Sequence, residues 1–349
     1  MKKIFVNGYG SIGKRITKFI LDDPEIRLLG IGKHTPDDTI KDILSQGLNV
    51  YVLQKNLHIF DKYNINGTIE DILTECDLVI DASPSGYGFY NKQKIYNKHN
   101  VMVIYQGGET IFGDNAVSDL IFNSTVNYEK AFNKQHVIQG SCNVTGMGRI
   151  LNPLQIKYHD NIIRFDLTLI RRWADLEDIK TIVDDSIELV KNPHHANDVG
   201  SYLGSKIPVF VRAIKVPTRQ MHLHFLDVRF SKNVPSESEI IKLFKDEYGI
   251  AILNKAKSTK EVRDFAESTK FNFKDTNMIH IYSDFVEKTG DTIKICYSDD
   301  QTGIVIPENH LLLQAMLFKR NYKDAVRHTE NIFNMSQKKK LLETYFATK

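Results

Sequence analysis

Cysteine is scarce in this sequence, and long apolar runs are missing from it. The 349 residues include three cysteines, Cys76, Cys142 and Cys296. This number is too small for the disulfide framework of a small secreted protein. The first apolar stretch, residues 4–6, is shorter than a signal-peptide core, and no run approaches the roughly 18 apolar residues of a membrane span. We therefore expect a soluble cytoplasmic protein with no membrane partner.

The sequence also lacks a strong charge of one sign. It has 46 Lys and Arg against 43 Asp and Glu, for a net charge of +3. This balance attracts a polyanion only weakly, so no nucleic-acid partner is expected, although an anionic small molecule would not be repelled. The lysine run at 338–340 is expected to be a solvated helix end. Hydrophobic residues make up 42% and charged residues 26%, an ordinary globular composition, and the length suggests two domains.

The first 140 residues alternate short apolar runs with helical patterns. Strands are predicted at 4–6, 26–31, 78–80 and 101–105, and the first is followed by a helical stripe at Ile12, Ile16, Phe19 and Ile20. Strands that alternate with helices indicate a parallel sheet covered by helices. We expect an α/β Rossmann nucleotide-binding domain over residues 1–140, completed by the C-terminal helices 304–349.

The pattern changes after Cys142. Longer alternating strands are predicted at 162–170, 209–216, 222–230, 278–282 and 292–297, with a helix around Ile240 and Phe244. Such a pattern is typical of an antiparallel sheet with helices on one face. Residues 141–303 are therefore expected to form an α+β catalytic domain with a mainly antiparallel sheet.

A glycine-rich turn follows the first predicted strand. Gly8-Tyr9-Gly10-Ser11-Ile12-Gly13 fits G-x-G-x-x-G between a strand and an amphipathic helix. Gly8 permits the tight turn, Gly10 lets the backbone approach a pyrophosphate, and Gly13 allows close packing of helix on strand. A dinucleotide cofactor is the expected ligand. The alternative is a strand–turn–helix with no ligand.

The second predicted strand lacks the carboxylate that usually holds the ribose hydroxyls of NAD. It ends Gly30-Ile31-Gly32-Lys33-His34-Thr35. A carboxylate would repel a 2′-phosphate, whereas Lys33 and Thr35 have the groups to bind one. We therefore expect NADP to be preferred, with NAD as the other possibility. The alternative is that Lys33 is a surface lysine with no such role.

Cys142 lies between a predicted strand at 137–138 and a helical stripe that begins near Met147. A cysteine at a helix N-terminus has its thiolate stabilised by the positive end of the helix dipole. Backbone N–H groups of the same turn are placed to hold an oxyanion. Cys142 is thus the candidate nucleophile, while Cys76 and Cys296 have the surroundings of packing residues.

Two pairs of histidines are candidates for the accompanying chemistry. His222 and His224 are two apart in a predicted strand and therefore share a face, and His194 and His195 are adjacent in a predicted loop. The four form one possible zinc site, although their spacing matches no zinc pattern. In the other interpretation a strand histidine transfers a proton and the loop histidines bind an anionic substrate.

Segments along the whole chain resemble the archaeal, or type II, phosphorylating glyceraldehyde-3-phosphate dehydrogenases. Their order agrees with that family, and together they are far more specific than the glycine motif alone. The segments are Val6-Asn7-Gly8-Tyr9-Gly10-Ser11-Ile12-Gly13-Lys14-Arg15, Asp81-Ala82-Ser83-Pro84, Gln106-Gly107-Gly108-Glu109, Ser141-Cys142-Asn143-Val144-Thr145-Gly146, Arg171-Arg172-Trp173-Ala174-Asp175, His194-His195-Ala196-Asn197-Asp198-Val199, Met221-His222-Leu223-His224, and Gln301 with Val305-Ile306-Pro307-Glu308-Asn309.

The resemblance implies an activity and roles for residues. The expected enzyme reversibly oxidises glyceraldehyde 3-phosphate to 1,3-bisphosphoglycerate with NAD(P) and inorganic phosphate, in glycolysis or gluconeogenesis, as a homotetramer without a metal. Cys142 would be the nucleophile and His222 the general base, with His224 as a rival for that role. The implied substrate contacts are Ser141, Asn143, His194 and His195. The implied cofactor contacts are Ser11, Ile12, Gly108, Arg171 or Arg172, and Gln301.

Some positions depart from the family pattern. Residues 181–186 replace an expected Gly-Pro-Ile-Asn-Ala, Asp300 stands where a histidine is expected, and Trp173 replaces a small residue. Two alternatives remain at this stage. One is another phospho-aldehyde or semialdehyde dehydrogenase of the same two-domain plan, and the other is a non-catalytic NAD(P)-binding protein.

Overall fold

A computed structural model describes residues 1–174, 185–204 and 206–349 of the chain. The chain divides into two units by its internal packing. The first comprises Met1–Ser141 and Glu308–Ile332, and the second Cys142–Pro307 and Phe333–Lys349.

The described residues form strands and helices in the following order. The strands are β1 (Lys2–Asn7), β2 (Ile26–Lys33), β3 (Val50–Val52), β4 (Gly67–Thr68), β5 (Leu78–Asp81), β6 (Met102–Tyr105), β7 (Ile121–Phe122), β8 (His136–Gln139), β9 (Ile162–Arg172), β10 (Glu188–Val190), β11 (Val209–Val216), β12 (His222–Phe230), β13 (Ile250–Leu253), β14 (Ile279–Thr289) and β15 (Thr292–Asp299). The helices are α1 (Ser11–Asp22), α2 (Thr39–Ser45), α3 (Ile69–Ile72), α4 (Tyr87–Asn91), α5 (Asn97–His99), α6 (Ser124–Asn127), α7 (Cys142–Tyr158), α8 (His195–Leu203), α9 (Glu237–Lys245), α10 (Thr259–Ser268), α11 (Val305–Leu313), α12 (Tyr322–Phe333) and α13 (Met335–Thr348).

The first unit is built on a parallel sheet of eight strands in the order β4-β3-β2-β1-β5-β6-β8-β7. The apolar residues of β1 are fully buried, and α1 turns Ile16, Phe19 and Ile20 inward. Because β2 and β5 lie on opposite sides of β1, the strand order reverses there. Such a reversal opens a crevice at the carboxyl ends of the strands, where ligands of Rossmann folds bind. The expected α/β fold is confirmed.

The second unit is built on a mixed sheet of seven strands in the order β10-β11-β9-β12-β15-β14-β13. Four of the six pairings among the described strands are antiparallel, and β9–β11 and β13–β14 are parallel. Strand β12 alternates regularly, with His222 and His224 on the buried face and Phe225 on the exposed one. Helix α7 packs against β9 and β15. The expected α+β unit with a mainly antiparallel sheet is therefore present.

The last helix differs from the prediction. Residues 304–349 were expected to complete the nucleotide-binding domain, but α13 belongs to the second unit. Its Leu342 and Phe346 join a buried cluster that includes Leu253 and Val262. Apolar periodicity predicts that a helix has a buried face, but not which core that face meets.

The lysine run is also not a solvated helix end throughout. Lys338 reaches inward from α13, where its Nζ contacts the Asp275 carbonyl oxygen at 3.2 Å and the Asn277 side chain. Among the described helices, none combines the length and the apolar character needed to cross a membrane.

Candidate active site

The turn between β1 and α1 has the backbone that a dinucleotide-binding turn requires. Gly8 has φ +120°, and a Cβ there would stand 2.5 Å from the Ala82 carbonyl oxygen. A Cβ on Gly13 would stand 2.2 Å from the Gly8 carbonyl oxygen, so the start of α1 packs directly on the turn. A Cβ on Gly10 would meet nothing within 4 Å. The turn is therefore closed where helix meets strand and open at Gly10, ahead of the positive end of α1 at Ser11 and Ile12.

The loops after β5 and β6 are tied to each other at the same edge of the first sheet. Gly108 has φ +124°, and its carbonyl oxygen accepts a hydrogen bond from the Ser85 hydroxyl at 2.9 Å. One Glu109 carboxylate oxygen accepts from the backbone N–H groups of Gly86 and Gly88 at 2.7 and 3.1 Å. Gly108 thus lies on a fixed loop beside the crevice. Ser141 lies against the same loop, because a Cβ on Gly107 would stand 2.4 Å from the Ser141 Cα.

Lys33 ends β2 as predicted, but a carboxylate lies beside it. Its Nζ donates to Asp37 Oδ2 at 2.7 Å and to Thr39 Oγ1 at 2.9 Å. The lysine side chain is 9% exposed, whereas that of Asp37 is 44% exposed. The expectation of NADP rested on the absence of a carboxylate, and Asp37 supplies one four residues past the strand end. Asp37 is visible in the sequence, so this carboxylate near the strand end is predictable from it.

In the second unit, Cys142 is the first residue of α7 and is partly exposed, as the flanking pattern predicted. The positive end of the helix dipole therefore falls at the thiol. Ligand atoms of Cys142, His222 and Asp299 all lie within 4.8 Å of one another. The fold thus brings a thiol, an imidazole and a carboxylate together at one helix start.

His222 is fully buried and neutral, because burial lowers its pKa well below the usual value, with the neighbouring Arg172, His224, Arg171 and His195 acting in the same direction. Its Nδ1 accepts a hydrogen bond from the Arg172 backbone N–H at 3.1 Å. Because an amide N–H only donates, Nδ1 holds a lone pair and the ring hydrogen is on Nε2. His222 is therefore a hydrogen-bond donor at Nε2.

His224 and Asp299 form a fully buried pair, with 2.9 Å between His224 Nε2 and Asp299 Oδ2. Within the described part of the chain, His224 Nδ1 and Asp299 Oδ1 have no hydrogen-bond partner. Asp299 was not among the predicted residues. Its position follows from the pairing of β12 with β15, which sets His222 opposite Asp299. The sequence alone does not indicate how β12 is aligned against β15, so Asp299 could not be predicted as a neighbour of His222.

The paired histidines lie at a helix start rather than in the predicted loop. His194 precedes α8 and His195 begins it, and their rings stack with 4.3 Å between centroids. His194 is half-exposed and its Nδ1 pairs with Asp198. Burial lowers the pKa of His195 to about 2, with His194, Arg171 and His224 adding to the effect. The structure therefore brings His195 near Arg171 and His224.

Several buried polar atoms of the residues at this site have no hydrogen-bond partner in the described part of the chain. Most buried polar groups in proteins are hydrogen-bonded, so a concentration of such atoms marks a place for a polar ligand. Within residues 1–174, 185–204 and 206–349, the unpartnered site atoms are Asn143 Oδ1, Arg171 Nε, His195 Nδ1, His224 Nδ1, Asp299 Oδ1 and Gln301 Oε1. Arg171 and Arg172 end β9, and Gln301 follows β15 with its Nε2 3.5 Å from the Arg219 carbonyl oxygen.

The departures from the family pattern have different outcomes. Asp300 is structural, because it is buried against Arg263 Nη2 at 2.8 Å and accepts from the Thr276 N–H at 2.6 Å. Trp173 has Lys215 Nζ 5.9 Å from its ring centroid. Residues 181–184, like Asp175 of the arginine segment, lie outside the described residues.

The four-histidine zinc site considered from the sequence is not formed. Two groups of three donor atoms converge among the described residues, and neither combines the histidine pairs 194–195 and 222–224. One is the group at Cys142. The other comprises Asp23, His310 and His328 of the first unit, which no sequence pattern indicated.

The chain is similar over nearly its whole length to three curated archaeal proteins, each named glyceraldehyde-3-phosphate dehydrogenase. The protein of Sulfolobus acidocaldarius is 32% identical over 346 residues, covering 96% of this chain and 98% of its own. The protein of Metallosphaera sedula is 33% identical over 318 residues, covering 88% and 91%. The protein of Saccharolobus islandicus is 30% identical over 339 residues, covering 94% and 96%. No protein-family model matches the sequence.

Proposed function

Because this chain belongs to the archaeal glyceraldehyde-3-phosphate dehydrogenase family, we propose that it oxidises glyceraldehyde 3-phosphate to 1,3-bisphosphoglycerate with a nicotinamide cofactor and inorganic phosphate. The observation that carries the proposal is the meeting of Cys142, His222 and Asp299 at the start of α7. The reaction is reversible, so it serves glycolysis or gluconeogenesis.

The first step is addition of the Cys142 thiolate to the aldehyde carbon. A carbon–sulfur bond forms and the carbonyl π electrons move to oxygen, which gives a hemithioacetal alkoxide. The dipole of α7 favours both the thiolate and the new oxyanion. His222, with its hydrogen on Nε2, is suited to donate to that negative charge. We therefore give His222 the role of donor in place of the general base that the resemblance implied.

A nicotinamide cofactor, when bound, would accept the hydride from the C–H bond of the hemithioacetal, and loss of that hydride would leave a thioester on Cys142. Residues at the open turn from Gly8 to Gly13, the Gly108 loop and Lys33 are proposed to hold the cofactor, together with Arg171 or Arg172 and Gln301. Phosphate then attacks the thioester carbonyl, the carbon–sulfur bond breaks, and the thiolate returns. The overall reaction releases one proton.

We assign that proton to His224. Its Nε2 is engaged by Asp299 at 2.9 Å, while Nδ1 has no partner among the described residues. A carboxylate on one ring nitrogen fixes the tautomer and stabilises the imidazolium that forms, which is the arrangement of a general base. The phosphate groups of substrate and co-substrate are assigned to His194, His195 and the arginine that remains, with Ser141 and Asn143 against the substrate.

The direct test follows formation of the reduced cofactor from glyceraldehyde 3-phosphate, with and without inorganic phosphate. Phosphate-dependent reduction is expected. Reduction that needs no phosphate would indicate a hydrolysing aldehyde dehydrogenase, and reduction with a semialdehyde alone would indicate a different substrate. Cofactor binding without reduction of any aldehyde would indicate a non-catalytic protein.

Cysteine variants locate the nucleophile. All three cysteines are free thiols, as in the reducing cytoplasm that we propose as the location. Burial raises the pKa of Cys76 and Cys296 to about 12, so Cys142 alone is expected to react rapidly with iodoacetate at neutral pH. Cys142→Ser is expected to abolish activity, while Cys296→Ser serves as the matched control and retains it. Equal, slow labelling of all three thiols would contradict the assignment.

We propose assembly of several copies, a homotetramer in keeping with the family. The exposed face of the second sheet supports it. Phe210 and Phe225 are 53% and 45% exposed there, next to the oppositely charged Arg164 and Asp166, a combination suited to self-association. Light scattering of Phe225→Glu should show a smaller assembly. Phe285→Glu, at the equally exposed Phe285 of β14, is the control.

A further inference from the structure

A second group of titratable residues lies in the first unit, separate from the residues of the proposed chemistry. Asp23 follows the C-terminus of α1, His310 is on α11 and His328 is on α12. Asp23 Oδ2 is 2.9 Å from His310 Nε2 and 3.0 Å from His328 Nε2. Donor atoms of the three residues all lie within 4.8 Å of one another.

The hydrogen bonds around this group fix the direction of its lone pairs. The Thr329 hydroxyl donates to the Ala325 carbonyl oxygen at 2.8 Å, so its lone pairs face His310 Nδ1 at 2.7 Å. Nδ1 must then carry the hydrogen, and Nε2 of neutral His310 presents a lone pair to Asp23. Asp23 Oδ1 accepts a hydrogen bond from the Glu25 backbone N–H at 2.9 Å, so Oδ2 is the oxygen that faces the two histidines.

A fourth polar group points to the same place. Gln314 is fully buried, and its Nε2 lies 3.3 Å from His310 Nε2. Its Oε1 has no hydrogen-bond partner in the described part of the chain. Rotation of the amide by a half-turn exchanges Nε2 and Oε1. The amide oxygen then takes the position 3.3 Å from His310 Nε2. A proton shared by His310 and Asp23 would also relieve their facing lone pairs, so a proton is the competing occupant of this site.

We propose that Asp23, His310 and His328, with the Gln314 amide oxygen, bind one divalent metal ion of the zinc class. Two imidazole nitrogens and two oxygens form a donor set that Zn²⁺, Co²⁺ and Ni²⁺ accept. The Thr329 hydroxyl and the Glu25 N–H are the outer contacts that commonly fix the tautomer and the carboxylate of a metal site. The His328 side chain is 19% exposed and provides access from solvent.

Such an ion would fasten distant parts of the first unit. Asp23 is 287 residues from His310 and 305 from His328 in sequence, so the metal joins the end of α1 to the C-terminal helices α11 and α12. The proposal does not depend on the catalytic assignment, because the Cys142 group shares no residue with it.

The test is titration of the full-length chain, first treated with a chelator and then dialysed, with Co²⁺ followed by visible absorption and with Zn²⁺ followed by calorimetry. All titrations use a Cys142→Ser background, which removes the thiol of the other group. We expect one equivalent to bind, and we expect a rise in melting temperature on binding. His328→Ala, at the most exposed donor, should weaken binding by at least tenfold and remove that rise.

His159→Ala is the matched control, because His159 also lies beside a carboxylate, at 3.2 Å from Asp160, but is exposed. It should bind Co²⁺ as the parent does. Binding by His328→Ala as tight as that of the parent, or no stoichiometric binding by the parent, would overturn the proposal. A melting temperature that responds to acidification but not to Zn²⁺ or Co²⁺ would show that a proton is the occupant instead. Circular dichroism shows that each variant is folded.

Discussion

Two histidine–carboxylate pairs, one in each unit, have nearly the same geometry and different surroundings. His310 and Asp23 in the first unit, and His224 and Asp299 in the second, are both fully buried with 2.9 Å between nitrogen and oxygen. Around Asp23, the second oxygen accepts from the Glu25 N–H and a second histidine is present. Around Asp299, neither the second oxygen nor His224 Nδ1 has a partner in the described part of the chain.

This difference teaches how one chemical pair serves two purposes. A buried polar atom without a partner costs about 1–3 kcal/mol. The pair at Asp23 avoids most of that cost and joins parts of the fold. The pair at Asp299 keeps the cost, and an Asp299 carboxylate oxygen lies within 4.8 Å of the Cys142 thiol, where a reacting group would use the open atoms. Unsatisfied atoms on the histidine and the carboxylate themselves therefore distinguish the reactive site.

The largest expected effect comes from removing the open histidine. His224→Gln should lower kcat by about 10²–10⁴-fold, the usual contribution of a positioned acid or base, because the released proton loses its acceptor. His222→Gln is the companion variant, and it should lower kcat while leaving in place the acidic limb of the pH–rate profile, where a general base becomes protonated, because His222 is proposed to donate. Steady-state kinetics over a range of pH compares the two. A loss of the pH-dependent limb only in His222→Gln would reverse the assignment.

Removing Asp23 from its pair with His310 should lower the stability of the protein rather than its kcat. In Asp23→Ala, the proton or metal ion held with His310 and His328 loses its carboxylate, and removal of one member of a buried ionic group costs about 3–5 kcal/mol. Urea denaturation measures the free energy of unfolding. Asp22→Ala, next in the chain and paired with Lys18 at the surface, is the control, with a cost of at most about 1 kcal/mol. Similar losses in both variants would mean that the buried junction contributes nothing special.

Asp299→Asn removes the negative charge from the His224–Asp299 pair with little change in side-chain size. An amide keeps the size and can still meet His224 Nε2, but it no longer fixes the tautomer or stabilises the imidazolium. We expect kcat to fall roughly 10²-fold, less than for loss of the histidine, with little change in KM. Asp300→Asn is the instructive comparison, because Asp300 binds Arg263 and the Thr276 N–H. That variant should lose stability rather than show a changed pH–rate profile.

Sequence reasoning predicted the parts of this molecule that depend on local pattern. Most of the strands, the glycine turn at Gly8 and the helix start at Cys142 follow from periodicity and turn chemistry, whereas β3, β4, β7, β10 and β13 were not predicted. Asp299 and the group at Asp23 could not be found this way, because each depends on which elements become neighbours. Asp299 needs the register of β12 against β15, and Asp23 meets His310 across 287 residues.

The role of His222 shows the same limit at atomic scale. The sequence placed His222 and His224 on one face of a strand, and the structure has them there. Which one holds a lone pair depends on the Arg172 N–H and on Asp299, and neither contact is visible in the spacing. The helix at His195 and the core that receives α13 were likewise decided by tertiary packing.

Another buried histidine, His280, shows the cost of burying an imidazole that has no direct hydrogen bond to a carboxylate. Its Nδ1 meets the Ser298 hydroxyl at 3.1 Å, and burial lowers its pKa to about 4, although Asp300 raises it and Arg263 lowers it further. The unfolded state therefore binds more protons as pH falls below about 6.5, so stability is lost between that pH and about 4. Between about pH 7 and pH 5 the loss from this residue is about 2 kcal/mol. In His280→Gln, the free energy of unfolding from denaturation curves at pH 7 and pH 5 should therefore differ by about 2 kcal/mol less than in the parent.

The smallest effect on a measured property is expected at the Lys33–Asp37 pair. This pair lies at the carboxyl end of β2 and is more exposed than the two histidine–carboxylate pairs. Asp37 Oδ2 lies 2.7 Å from Lys33 Nζ, and the Asp37 side chain is 44% exposed. Its negative charge would therefore repel a 2′-phosphate that Lys33 attracts. Asp37→Ser should raise the ratio of kcat/KM for NADP over NAD by about tenfold, equivalent to about 1.4 kcal/mol. Lys33→Met should move the ratio the other way. Asp38→Ser, at the neighbouring and more exposed carboxylate, is the control, and a shift as large there would show that general surface charge, not the pair at Lys33, sets the cofactor preference.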